Sequence, residues 1–328
     1  MARSIGVLRD ACQNHIGWNN GIKHMKLVLL WLMLICTTAM AQNIELVVPY
    51  SSGGPSDIFG RSVQKYLTAK LDRTVVVVNK PGADGRIGIN YVQSKPADAT
   101  TLIVSATGPF LFNKVQYKKL NYDYTEFDMV VPLLTMPMMV AVNTKSHIHT
   151  FADFIKEARA TKMSCGVSAA SSGFAANYIK QKLALTGLVI VPYKGVGDIL
   201  ISVMGNNIDC IIDAGFKNAH QDARVRVIAI ADDRIDPDIS NADLIKNYIP
   251  GYTQSNWWGI SMLKTNVALK DSLATLIKNM GQDPEYRRTM HQLNFNIVTP
   301  QTNYIKFLDA EYQKYDDIRK SIGEPKID

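Results

Sequence analysis

A chain of 328 residues, 47% hydrophobic and 20% charged, has the composition of a folded globular protein and not of a disordered or low-complexity one. Its formal charge of +7 is spread over scattered lysines and arginines, with no basic stripe carrying stacking aromatics, so nothing points to nucleic acid as a partner. Four cysteines are too few for a disulfide scaffold at this length.

Residues 1–24 read as an over-extended start, with Met25 as the natural one. Lys26, the apolar run 27–35 and the small residues ending Ala39-Met40-Ala41 form a secretory signal with an A-x-A cleavage site, so residues 1–41 are expected to be removed. The run is roughly half the ~20 residues of a membrane-spanning helix, and no second one follows. Cys36 invites a lipid anchor, but bulky Ile35 stands directly before it. Loss of the segment leaves a smaller positive surplus, which steers anionic solutes. The two remaining cysteines, Cys165 and Cys210, lie in apolar runs and are expected to be buried thiols, because a core of this size needs no crosslink.

Short β-branched runs follow at 44–48, 75–78, 101–104, 129–131, 140–142, 189–191, 208–212 and 225–230, and most are separated by helical periodicity. Helices are expected over 57–71, 151–161, 174–185, 266–280 and 302–320, the second capped by Thr150. This alternation implies an α/β fold with largely parallel sheets. Two extended runs, 136–143 and 252–262, look like crossings between lobes. They divide the chain into 42–142 plus 254–328 as one lobe and an inserted 143–253 as the other, with a cleft between them.

The first strand runs into Tyr50-Ser51-Ser52-Gly53-Gly54-Pro55-Ser56-Asp57 and then a helix. Ser56 is placed as the N-cap with Asp57 in the first turn, and the unpaired amides behind them form a socket for an anion. Ser168, Ser171 and Ser172 lie between a later strand and helix and repeat that geometry, while Tyr193 and Asp213 stand just past two further strands. The Pro81-Gly82-Ala83-Asp84-Gly85 stretch reads as a structural turn and helix start, and of the adjacent Trp257 and Trp258 the first is placed on the cleft side.

Read together, Val48-Pro49-Tyr50-Ser51-Ser52-Gly53-Gly54-Pro55-Ser56-Asp57, Asn79-Lys80-Pro81-Gly82-Ala83-Asp84-Gly85-Arg86-Ile87-Gly88, Tyr117-Lys118-Lys119-Leu120-Asn121-Tyr122-Asp123, Val191-Pro192-Tyr193-Lys194-Gly195 and Trp257-Trp258-Gly259 occur in the order of a known family. From about Ile44 to its end the chain resembles the receptors of tripartite tricarboxylate transporters, the Bug-type periplasmic solute-binding proteins. The resemblance implies a two-lobed type II periplasmic binding protein fold, closing like a flytrap on a small carboxylate and passing it to membrane permease subunits, with no cofactor and as a monomer. It implies that the loop bearing Ser51, Gly53 and Gly54 holds a ligand carboxylate through amides and ordered waters, that Asp57 anchors those waters, and that the ligand packs on Tyr50. Thr107 and Gly108 match a further loop of the first lobe. The chain departs from the pattern in a serine loop one residue short, in Asp213-Ala214-Gly215, and in Phe174 where histidine is common, which hints at a more apolar ligand body.

An enzymatic alternative is a secreted serine hydrolase. Gly166-Val167-Ser168-Ala169-Ala170 resembles a nucleophile elbow without its last glycine, but neither His220 nor His291 stands at a recognisable strand end. His147 and His149 form an H-x-H without a third ligand at metal spacing.

Overall fold

The computed structural model describes residues 43–216, 223–235, 237–293, 295–298 and 304–328. The expected signal segment and His220 lie outside them. The first strand, β1 (Ile44–Val48), is followed by α1 (Pro55–Lys70), β2 (Val75–Asn79), α2 (Arg86–Gln93) and β3 (Thr101–Ala106). A single π-helical turn, Gly108–Phe112, leads into α3 (Asn113–Gln116), and β4 (Phe127–Pro137) ends this part of the chain. The central block runs β5 (Met139–Asn143), α4 (Phe151–Ala160), β6 (Met163–Val167), α5 (Ala170–Lys182), β7 (Leu188–Pro192), α6 (Val196–Met204), β8 (Cys210–Asp213), β9 (Val225–Ile230) and β10 (Asp243–Leu244). The chain ends with β11 (Ser255–Leu263), α7 (Ala268–Met280), α8 (Pro284–Gln292), β12 (Asn296–Ile297) and α9 (Tyr304–Ser321).

These strands form two six-stranded sheets of like design, β12-β4-β11-β3-β1-β2 and β10-β9-β5-β8-β6-β7. In each, a parallel trio (β2-β1-β3 and β7-β6-β8) meets one antiparallel strand, β11 or β5. The trios are built from β-branched runs connected through helices, the arrangement that buries both faces of a parallel sheet. Local chemistry sets the helix ends. Thr150 and Asp153 form a reciprocal capping box at α4, and Asp283 accepts from the amides of Glu285 and Tyr286 at α8, where Pro284 takes the first helical position.

The chain leaves the first sheet at Met138 and returns at Gln254. There the two crossing segments are tied together: Met138 N donates to Gln254 O (2.8 Å), Gln254 N to Ala231 O (3.0 Å) and Ala231 N to Met138 O (2.8 Å). Strand β5 therefore lies wholly in the second sheet, one strand before the boundary expected at 142. It is fully buried and bonds on both edges, to β8 and β9, and that pairing fixes its place more strongly than its position in sequence.

Two further expectations are corrected. Cys165 and Cys210 form a disulfide, because they are register partners in neighbouring strands β6 and β8 with Cα atoms 4.5 Å apart, within the range that a disulfide bridges. Helix α5 begins at Ala170, four residues before the expected 174, so Ser171 and Ser172 lie inside its first turn. Phe174 then faces an aromatic cluster with Phe112 (5.1 Å between ring centroids) and Tyr315 (5.9 Å) and is fully buried, which removes it as a wall for the ligand.

Candidate functional site

The loops singled out in the sequence emerge from the carboxyl ends of parallel strands: Tyr50 to Gly54 after β1, Thr107 and Gly108 after β3, Ser168 after β6, Tyr193 after β7, and Ala214 and Gly215 after β8. Open α/β sheets leave uncovered backbone donors at that edge.

In the first loop, Gly53 adopts φ +84°, a left-handed conformation that glycine reaches without strain, and so turns its N–H onto Asp57 Oδ2 (3.0 Å). The cap of α1 is Gly54 and not Ser56: Pro55, preset in φ and lacking an N–H, takes the first helical position and moves Ser56 inside the helix. Ser56 is buried, and its hydroxyl accepts from Trp258 Nε1 (2.8 Å). Asp57, 3% exposed, receives Arg61 Nε (2.8 Å) and Asn79 Nδ2 (3.0 Å) besides Gly53, and Asn79 also donates to Tyr50 O (3.0 Å). Burial by itself would raise this carboxyl, but the bonds from Arg61, Gly53 and Asn79 outweigh it and hold the pKa below the ordinary carboxylate value. Asp57 is thus the brace of the loop. The amides of Gly54 and Ser56 have no acceptor among the described residues, and Ser51 and Ser52 are exposed at the lip.

Thr107 turns away from the loops. Its hydroxyl accepts from Trp257 N (2.6 Å) and donates back to Trp257 O (3.3 Å), fastening β3 to β11. Trp257 packs edge-on against Tyr304 (5.8 Å) and Phe307 (6.0 Å) of α9, so the tryptophan that reaches the first loop is Trp258. The alternation of side chains along β11 sends neighbours to opposite faces, and a local register shift between Trp258 and Ile260 marks the strand there. Gly108 leaves room for the Tyr50 hydroxyl, which a Cβ at that position would strike. Tyr50 stays a protonated phenol: burial first, then the neighbouring Asp84 charge, push its pKa well up.

On the facing side, Asp213 is 2% exposed and binds the serine loop: Oδ2 accepts from Ser168 N (2.8 Å) and Ser168 Oγ (2.7 Å), and Oδ1 from Ala214 N (2.7 Å). Its pKa is raised, because burial outweighs the bonds from Ser168, Ser172 and Ala214. Ser172 Oγ accepts from the amides of Ser168 (3.1 Å) and Ala169 (3.0 Å), and Ser171 O accepts from Gln254 Nε2 (2.8 Å). Tyr193 continues β7 through its N–H to Val167 O (2.8 Å) and packs beside Ile199 and Val203 in a core cluster. The Ser168 hydroxyl is thus bonded to a carboxylate, with no histidine bonded to it among the described residues. His291 is exposed on α8, and His147 lies 3.2 Å from Glu157 Oε2. No group of three or more metal-ligating side chains occurs among the described residues.

The two sets of loops meet. Gly215, at φ +88°, sits so close to Pro55 that a Cβ would lie 2.6 Å from its Cγ. Gly215→Ala is therefore expected to cost about 1–2 kcal/mol in left-handed strain alone, before the clash. Chemical denaturation checks this, and an unchanged midpoint would refute the close approach. Asp84, left as a turn residue by the sequence, stands beside these loops. Its carboxylate lies by Gly108 and 3.5 Å from the Tyr50 hydroxyl. The clue available in sequence was an acidic residue between glycines directly before a helix, in a turn that glycine would suit.

Four likenesses bear on these features. The model of the tripartite tricarboxylate transporter family receptor matches residues 59–324. An Agrobacterium vitis protein, the UPF0065 protein in the TAR-I ttuE-ttuC' intergenic region, is 27% identical over 274 residues, 78% of each chain. Among solved structures, R. palustris Rpa4515 with adipate superposes with a TM-score of 0.80 at 23% identity, over 87% of this chain and 98% of that one. MatC from Rhodopseudomonas palustris with bound malate gives 0.75 at 19%, over 85% and 99%. The last two establish the fold, a two-lobed α/β periplasmic binding protein of type II.

Proposed function

The chain belongs to the tripartite tricarboxylate transporter receptor family, and from that membership we propose a periplasmic, non-catalytic receptor that captures a small organic carboxylate between its lobes and delivers it to membrane permease subunits. The observation that carries the reading is the braced loop of Tyr50 to Asp57. Its amides at Gly54 and Ser56 are left unspent at the N-terminus of α1, while Asp57 is neutralised by Arg61 and hydrogen bonds and so repels an incoming anion little. The related structures hold adipate and malate, both carboxylates.

In this reading Ser51, Gly53, Gly54, Ser56 and Tyr50 receive the acid group, and Gly108 with the Ser168 to Ser172 loop and Asp213 close over it. Thr107, Tyr193 and Trp257 act from behind by holding strands. The lobes, 42–142 with 254–328 against 143–253 but for β5, swing about Met138 and Gln254. A ligand that engages donors of both lobes only when they are together favours the closed state. Micromolar binding corresponds to about 8 kcal/mol, within reach of a few charge-assisted hydrogen bonds of ~1.5–3 kcal/mol each after ordering costs. Delivery requires secretion, so the mature protein is expected to begin at Gln42 after removal of its signal segment, and to be a monomer.

A panel of mono-, di- and tricarboxylates in a thermal-shift screen tests the proposal. The right acid should stabilise the protein by about 2.7 kcal/mol at one hundred times its dissociation constant. Silence across the panel rejects the receptor reading.

A further inference from the structure

Asp84 carries a feature that the receptor role alone does not explain. It belongs to a short turn in which both Ala83 (φ +48°) and Asp84 (φ +49°) adopt the left-handed conformation, a costly choice for residues with a Cβ that persists where the surroundings impose it. Asn113 Nδ2 anchors the turn by donating to Asp84 O (3.1 Å). The side chain lies beside Gly108 and the Tyr50 hydroxyl, two members of the candidate site, with Oδ1 3.5 Å from that hydroxyl. The other, Oδ2, is shut off from solvent and has no hydrogen-bond partner. A buried carboxylate oxygen without a donor is a standing cost, and a donor supplied from outside would relieve it.

The candidate site therefore has a carboxylate of its own beside Tyr50 and Gly108, while the amides of Gly54 and Ser56 on α1 have no acceptor among the described residues. We propose that Asp84 is a specificity-determining residue, which selects an acid whose other end carries a hydrogen-bond donor, a hydroxyl or an ammonium group, to meet Oδ2. A second carboxylate at that end would face Asp84 with like charge across a poorly solvated gap. This inference rests on the carboxylate-receptor reading and narrows it.

Calorimetry at pH 7.5 with acids matched in length tests it: succinate, 4-hydroxybutanoate and 4-aminobutanoate, then adipate, 6-hydroxyhexanoate and 6-aminohexanoate. The unmodified protein is expected to bind a donor-bearing acid at least tenfold more tightly than the diacid of equal length. Asp84→Asn, which keeps the shape without the charge, and Asp84→Gly, which suits the left-handed turn, should each raise diacid affinity at least tenfold and lower that of the amino acid. A diacid bound as tightly as its partners by the unmodified protein, or a ranking unmoved in folded variants, overturns the role of Asp84 and leaves the receptor reading standing. Failure of all six acids with every protein overturns both. The ranking in the unmodified protein decides the matter even where a variant does not fold.

Discussion

Asp57→Ala is expected to lower the unfolding free energy by about 3 kcal/mol and to weaken carboxylate binding at least tenfold. The substitution removes the acceptor of three donors at once, the Gly53 amide, the Asn79 side chain and Arg61. Hydrogen bonds to a charged group contribute roughly 1.5–3 kcal/mol each, and Arg61, whose side chain is 54% exposed, recovers most of its share from water. The affinity loss follows from the backbone. Without Asp57 nothing holds Gly53 in its turn, and the free amides of Gly54 and Ser56 lose their fixed direction. Asp57→Asn, which keeps an acceptor for Gly53, should fall between the two. Urea denaturation and calorimetry read both effects. An alanine variant with stability and affinity intact would show that the loop stands without its brace. Because the folded pKa of Asp57 lies below its ordinary value, its contribution is present at neutral pH and is lost as pH falls through that folded pKa.

Asp84 acts with the opposite sign. Burial is the chief cause that raises its carboxyl from 3.8 to about 6 in the folded protein, against the opposing influence of the Tyr50 hydroxyl, the Ala170 amide and the charge of Arg86. Tyr50 and Tyr122, the other titratable groups beside it, are themselves pushed up, mainly by burial, and stay neutral throughout this range. Between these two pH values the folded chain holds a proton that the unfolded chain has released. The contribution of Asp84 is therefore greatest below about pH 4 and is lost as pH rises through about 6, a change on the order of 3 kcal/mol. Asp84→Asn should match the unmodified protein at pH 4 and exceed it in stability at pH 7.5 by up to that amount. Asp57 and Asp213 titrate equally in both proteins, so the difference between the two denaturation curves isolates Asp84. A difference that stays flat from pH 4 to 7.5 would show that the carboxyl is not held in this environment.

The alternation of β-branched runs with helical periodicity was sufficient to draw most of the strands and the principal helices, because each element is decided within its own stretch of chain. Boundaries slipped where a local signal was weaker than a neighbour: Pro55 displaced Ser56 from the cap, and Ser171 and Ser172 were absorbed into the first turn of α5. The glycine turn was legible for the same local reason, and the ordered motifs made the family recognisable. The destinations of side chains were not. Tryptophans 257 and 258 are adjacent, and only packing against α9 and Ser56 decides which one meets the loop. Cys165 and Cys210 were read as thiols because register between β6 and β8 is invisible until the strands pair.

What the sequence determined by itself is the α/β framework, the turn at Gly53 and Gly54, and the kind of receptor this is, since periodicity, conformational preference and motif order are properties of contiguous residues. Only the tertiary structure decided that Asp57 spends its carboxylate on Arg61, Asn79 and Gly53, and that Asp84 comes to lie beside Tyr50 and Gly108. Those outcomes depend on groups brought together from distant parts of the chain, where burial and the supply of donors, and not neighbours in sequence, fix what a charged group does.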